Sequence, residues 1–281
     1  MSGIREIILP VLDSMPDSYL KSELRPNFAA HHEAFQAIEG AFQRLTSAPQ
    51  SKAVLRRFFQ SWSQTNNSAM TVAGISNRLS QIAFLGRPVR HRDALLKSLC
   101  SLHRIIDEDL AVTHRVLHSE LYYAMATGIV GDDGWLSRQY LSKEAIAFKG
   151  WKDTQSLRDD DLMIALLTTL VHEIYTHGEV EYILPRFKHW LEVVLGHSSH
   201  DAAKTLGWIS VHCGPTEKNH FFHARDTIMH YAEAVGARLE SYSLAAIVAA
   251  YLQKKAAVMS AIFADPVVTN RPPLPVLAQS A

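Results

Sequence analysis

The chain has 281 residues, 47% of them hydrophobic, with 28 basic and 28 acidic side chains and so no formal net charge. Such length and apolar content suit one large domain or two small ones with ample core. No long run of like charge occurs, which excludes nucleic acid and anionic membrane surfaces as main partners, since that binding depends on concentrated positive charge; a small molecule is the expected partner.

The N-terminal MSGIREIILPVLDSM holds a short apolar run broken by Arg5, Glu6 and Asp13, without the small-residue cleavage pattern of a signal peptide. Residues 20–47 carry Leu20, Leu24, Phe28, Phe35, Ile38, Phe42 and Leu45 at helical spacing, with Pro26 as an early break, and predict one helix or a helix pair. Residues 51–85 continue with Leu55, Phe58, Phe59 and Trp62, then Val72, Ile75, Leu79 and Ile82, and stop at Gly86 and Pro88; aromatics so spaced are core material. After Arg90, the stripe Leu95, Leu99, Leu102, Ile106 and Leu110 predicts a helix that runs into the acidic triplet Asp107, Glu108 and Asp109. HRVLHSELYYAMATG follows as a further apolar-periodic segment ending at Gly128 and the GDDG turn of 131–134, and a shorter helix is expected around 137–148.

Asp159, Asp160 and Asp161 form a cap region for a helix beginning at Leu162, where acids meet the positive end of the helix dipole. The segment Leu162–Leu195 is strongly helical, with Leu166, Leu170 and Glu173 in one line and Gly178 and Pro185 as kink positions. A helix over 201–212 ends at Gly214-Pro215, and a last long helix is expected from about Thr216 to Ile262. Nothing reads as alternating strands, so the class is all-α, with about seven to nine helices in one bundle-like domain over 1–264. The tail 265–281 is proline-rich and expected to be disordered; its RPPLPV core resembles a polyproline ligand, though a loose end is the simpler reading. Two cysteines, Cys100 and Cys213, are too few for a thiolate site and fit a reducing compartment. No apolar run approaches the roughly 18 residues of a membrane span, and a cytoplasmic protein without a membrane partner is expected.

The chemistry concentrates between Trp208 and Ala234, which holds four of the 15 histidines. Glu217 and His220 are three apart, as are His220 and His223, while Asp226 and His230 are four apart, so two imidazole–carboxylate sets each share a helix face. Imidazole plus carboxylate is the donor set of iron, manganese or zinc. Glu173 shares its face with Leu166 and Leu170, where an ionised carboxylate is costly unless a metal or another charge compensates it. His118 lies beside core positions Leu117, Leu121 and Met125, and one of the three consecutive acids at 107–109 must turn inward. The HEIYTH run at 172–177 differs from the HExxH of zinc peptidases by one residue, which turns His172 and His177 about 140° apart and prevents chelation of one ion.

An acid, a His about ten residues later in an H-x-E-L context, a Glu in mid-helix and a closing His/acid/His cluster together resemble the heme-oxygenase-like diiron oxidases over roughly residues 50–240. That superfamily also holds metal-free relatives such as pyrroloquinoline-quinone synthase and thiaminase-II-like proteins. The resemblance implies a single heme-oxygenase-like helical domain and assigns Glu108 and His118 as ligands, Glu173 as the bridging or shared carboxylate and key catalytic residue, and His212, Glu217 and His220 as the closing cluster. Two alternatives stay open: the closing set departs from the family's H-x-x-x-D/E-x-x-H by one residue at Gly214-Pro215, leaving His223, Asp226 and His230 as a second set, and the leucine stripe favours Asp109 over Glu108. The implied cofactors are two Fe(II) ions with O2 as co-substrate. The implied function is oxidation of a small amine-, amino-acid- or fatty-acid-derived substrate by N-oxygenation, desaturation or oxidative cleavage, often in specialised metabolism. An external electron donor and a homodimer are compatible with it. Arg56, Arg57, Arg78 and Arg104 are the candidates to anchor a substrate carboxylate. The alternatives are a metal-free acid/base enzyme on the same fold and a helical binding protein without catalysis.

Overall fold

The computed structural model describes residues 2–66, 69–85, 89–110 and 116–264; the tail expected from 265 onward lies outside them. Among the described residues the chain is all-helical: α1 Ile4–Asp13, α2 Tyr19–Ala30, α3 His32–Thr46, α4 Lys52–Asn66, α5 Ala69–Phe84, α6 Arg92–Asp109, α7 His118–Val130, α8 Lys143–Asp153, α9 Leu162–His189, α10 Ser199–Thr205, α11 Gly207–His212, α12 Pro215–Val235 and α13 Leu244–Ala261. The count exceeds the expected seven to nine because several long periodic stretches are divided. The stretch 20–47 continues through Pro26 and divides instead at His31. The long helix expected from Thr216 to Ile262 ends at Val235, where Gly236 takes a left-handed φ of 69° and returns its N–H to the Ala232 carbonyl. Ser243 then caps α13 by accepting from the Ala246 N–H. Periodicity alone does not register such breaks, because both flanking helices keep their apolar faces on the same core.

The helix α9 organises the rest. It runs through Gly178 and Pro185 and is buried on nearly every side, from Leu162 to Phe187. A helix that is apolar all round belongs inside the bundle, and α1, α11, α12 and α13 all pack on it. Asp161 caps its start, accepting from the Met163 N–H at 2.9 Å. The N-terminal apolar run is itself a helix: Ile4, Ile8, Val11 and Leu12 form the buried stripe of α1. Gly178 permits this crossing, since a Cβ there would stand 2.5 Å from Ile8 Cγ1 and 3.0 Å from Ile4 Cγ2. Gly178→Ala is therefore expected to destabilise by roughly 1–3 kcal/mol through overpacking. A urea midpoint equal to the parent's would show that α1 can move aside.

Buried side chains from α1 through α13 form one contiguous apolar core. Among the described residues one helix, Leu244–Ala261, is long and apolar enough to cross a membrane by length and composition, a feature the apolar-run reading missed because Lys254 and Lys255 interrupt the run. In this structure it packs against α2, α3, α8 and α9, with Lys255 fully buried.

Candidate metal centre

Five helices deliver acids and imidazoles to one region of the bundle. The C-terminal turn of α6 supplies Glu108 and Asp109, and the first residue of α7 is His118. Mid-α9 supplies Glu173, the end of α11 supplies His212, and the first turns of α12 supply Glu217 and His220. The break at Gly214-Pro215, where the closing set departs from the family's spacing, is what aligns it. Gly214, with φ 73° and ψ −126°, turns the chain between α11 and α12, and Pro215 starts the new helix where its missing N–H costs nothing. His212, Glu217 and His220 thereby face inward together although they lie on two helices.

Two trios result, each with ligand atoms within 4.8 Å of one another: Asp109, His118 and His212, and Glu173, Glu217 and His220. In the first, His118 Nδ1 is 3.3 Å from Asp109 Oδ1, and the His118 and His212 rings are 4.5 Å apart. In the second, His220 Nδ1 is 3.7 Å from Glu173 Oε2 and 3.6 Å from Glu217 Oε2. Glu108 meets the outer nitrogen, His220 Nε2, at 3.1 Å. Glu217 stands between the trios, with Oε2 toward His220 and Oε1 3.7 Å from His212 Nε2. Glu217 thus reaches an imidazole of each trio, while Glu173 reaches His220. Both acids left open at the α6 end take part: Asp109 is buried within the first trio, as the leucine stripe indicates, and the half-buried Glu108 backs the second.

The alternative set stays outside. His223, Asp226 and His230 are only partly buried, and Asp226 pairs with Arg225. The HEIYTH histidines are also apart from the trios: His172 Nδ1 is 2.9 Å from the Tyr251 hydroxyl, while His177 feels Glu181 and Lys218.

The electrostatics are those of charges crowded in a dry place. Burial, together with the Glu173 and Asp109 charges and against the pull of His220, pushes the Glu217 carboxyl up to about 8. Burial opposes the charge on His220, yet Glu217, Glu108 and Glu173 hold it well above the usual imidazole range. His212 goes the other way, lowered to about 4 by burial and by the His118 and His220 charges, against the pull of Asp109. Its Nδ1 lies 2.6 Å from the Trp208 carbonyl. A carbonyl only accepts, so the proton sits on Nδ1 and the Nε2 lone pair points at the site. Four atoms in the trios, His118 Nδ1, Glu173 Oε1, Glu217 Oε2 and His220 Nδ1, are buried without a hydrogen-bond partner.

A cavity of about 590 Å³ opens onto the first trio, lined by Asp109 and His118 and walled by Tyr122, Trp135 and Trp208. None of the four arginines proposed to anchor a carboxylate lines it among the described residues. Arg56 is held by Asp132 and Tyr140, Arg57 by the Ile262 carbonyl and Arg78 by the Ser156 carbonyl, and Arg104 is exposed.

A feature the sequence reading missed lies behind this wall. Lys255 Nζ is 2.9 Å from Glu179 Oε1, both side chains being fully buried, and Glu179 also accepts from Trp62 Nε1 and the Tyr175 hydroxyl. The four-residue spacing from Tyr175 to Glu179 was the available signal for an inward carboxylate.

No family model and no curated protein matches the chain. Its fold is similar to that of a TenA homolog from Pseudomonas syringae pv. tomato, with a TM-score of 0.65 over 89% of this chain and 94% of that one, at 16% identity. At that identity the likeness establishes the fold alone, an all-helical TenA-like architecture.

Proposed function

We propose that the two trios hold a pair of iron(II) ions and that this chain is a non-heme diiron oxidase or oxygenase acting with O2 on a small amine-, amino-acid- or fatty-acid-derived substrate. The supporting observation is the group of four buried atoms without hydrogen-bond partners. Left unsatisfied, each buried polar group costs about 1–3 kcal/mol. Cations placed among them would satisfy all four. The donor chemistry fits, because imidazole and carboxylate are the ligands iron takes, and Glu108, Asp109, Glu173 and Glu217 match the charge of two divalent ions. Asp109, His118 and His212 would hold one ion; Glu173, Glu217 and His220, backed by Glu108, would hold the other.

Bound ferrous ions would supply the electrons and Lewis acidity that O2 chemistry requires at the end of the cavity. The chain's own groups do the rest. The Trp208 carbonyl keeps His212 in the tautomer that presents Nε2 inward. The aromatic wall excludes water and packs the substrate body against the Asp109–His118 end. An external electron donor and a place in specialised metabolism belong to the same proposal.

The test is anaerobic loading with Fe(II), followed by desalting and metal analysis. Two irons per chain are expected, with an absorbance transient on exposure to O2; a preparation that takes up no stoichiometric iron overturns the proposal. Loading should also depend on pH in a defined direction. The Glu217 carboxyl is protonated up to about 8 and His220 well above its ordinary range. Both must release protons to become ligands, so apparent metal affinity is expected to rise as pH increases from 6 to 8. Titrations at the two ends of that window, with the proton release measured in buffers of different ionisation enthalpy, check this.

One observation favours a second reading. The Glu217 carboxyl, pushed up to about 8 and with Oε2 3.6 Å from His220 Nδ1, is a proton donor placed for general acid catalysis without a metal. Turnover that survives exhaustive chelation but not Glu217→Gln would select it.

A further inference from the structure

The cavity beside the first trio carries information about what it admits. Its aromatic wall is built edge to face: the Tyr122 ring stands 5.1 Å from Trp208 at 88° and 5.9 Å from Trp135 at 65°. The polar handles of two of these rings are already committed. The Tyr122 hydroxyl donates to the Phe59 carbonyl at 2.8 Å, and Trp135 Nε1 donates to Thr127 Oγ1 at 3.0 Å. What they offer a ligand is therefore π surface. The formal charge that the described lining residues bring is the carboxylate of Asp109. A negative group at one end and negative π faces along the wall repel an anion and attract a cation.

We propose that this cavity binds an organic amine held as its ammonium form on a flat apolar body, the ring against the Tyr122–Trp135–Trp208 wall and the nitrogen toward Asp109. The inference rests on the metal-site reading in one respect: it takes the cavity as the substrate side of that centre, and it narrows the substrate from three classes to one. In the metal-free protein an amino acid or a fatty acid would bring its carboxylate beside Asp109, and none of the described lining residues is a lysine or arginine that could compensate it, which is costly. With both ions bound the four carboxylates are neutralised, and the aromatic wall alone retains the preference.

Calorimetric titration of the full-length protein, metal-free and Co(II)-loaded, with three probes on one ring decides the matter: 2-naphthylmethylamine, 2-naphthylacetamide and 2-naphthylacetate. In the metal-free protein the amine is expected to bind saturably and about tenfold more tightly than the acid, the amide falling between them. Trp135→Leu should weaken the amine roughly fivefold, while Trp135→Phe, which keeps a π face, retains most of the affinity. If the leucine variant does not fold, as judged by its melting curve, Asp109→Asn provides the second arm, and it should abolish most of the preference for amine over acid in the metal-free protein. Acid binding as tight as amine binding, absence of saturable amine binding at millimolar concentration, or an unchanged preference in Asp109→Asn each overturns the proposal. The Co(II) titration keeps the two ideas separate. Amine selectivity without Co(II) uptake removes the metal centre and leaves the amine site, whereas Co(II) uptake without amine selectivity does the reverse.

Discussion

Glu173→Gln is expected to cost the protein one of its two ions while leaving the metal-free fold at least as stable as before. The side chain is 1% exposed and its Oε1 has no hydrogen-bond partner. Oε2 lies 3.7 Å from His220 Nδ1, and Glu217 crowds the same nitrogen. In the absence of metal the isosteric amide removes a charge that helps push the Glu217 carboxyl up, while Glu217 and Glu108 still face His220. With metal, the amide is a much poorer ligand, and affinity at that position should fall on the order of 100-fold or more, since even outer-shell partners are worth 10–100-fold. The two effects have opposite signs, which marks a site kept for function at the expense of stability. Iron per chain after anaerobic loading measures the first and the melting temperature of the metal-free protein the second. A variant that still loads two irons, or that loses several degrees, would make the Glu173 carboxylate a structural group.

Lys255→Met should be strongly destabilising. Lys255 Nζ contacts both oxygens of Glu179, at 2.9 and 3.0 Å, and donates to Thr65 Oγ1 at 2.7 Å. Burial lowers the lysine's pKa, opposed by Glu179. Removing the cation strands a fully buried carboxylate, a loss of roughly 3–5 kcal/mol. At about 2–4 °C per kcal/mol for a chain near this size, melting should fall by roughly 10 °C. The double variant Glu179→Gln/Lys255→Met removes both charges and should recover most of that loss. A single variant melting within about 2 °C of the parent would show that Glu179 finds another partner or a proton. The pair also reaches the site: Trp62, which donates to Glu179, packs 5.2 Å from Trp208, whose ring lies 4.6 Å from His212. Reduced iron loading in Lys255→Met beyond what instability explains would follow from that chain of contacts.

Much of this arrangement is legible in short-range spacing. Leu166, Leu170 and Glu173 fall on one helical line, so an inward carboxylate on α9 follows from about 100° of rotation per residue. The same arithmetic separates His172 from His177 and pairs Glu217 with His220. The six residues named as ligands on the strength of a family resemblance, Glu108, His118, Glu173, His212, Glu217 and His220, are all brought to one region, and Asp109 joins them. The apolar stripe of α6 carried that last signal, and the resemblance pointed away from it.

What periodicity leaves open is the fate of each boundary and the partner each inward side chain meets. The division at Gly236, the turn at Gly214 and the close crossing of α1 over Gly178 depend on backbone conformations and contacts that a repeating apolar pattern does not encode. By itself the sequence determined an all-helical class and the face on which each acid and imidazole lies, because a helix is set by residues three and four apart. Only the tertiary structure decided that Glu217 stands between two trios and that Asp109 and Glu108 serve different ones. It alone placed an aromatic wall over one end of the site, since those relations join different helices, as far as 112 residues apart along the chain for Glu108 and His220, at distances fixed by packing.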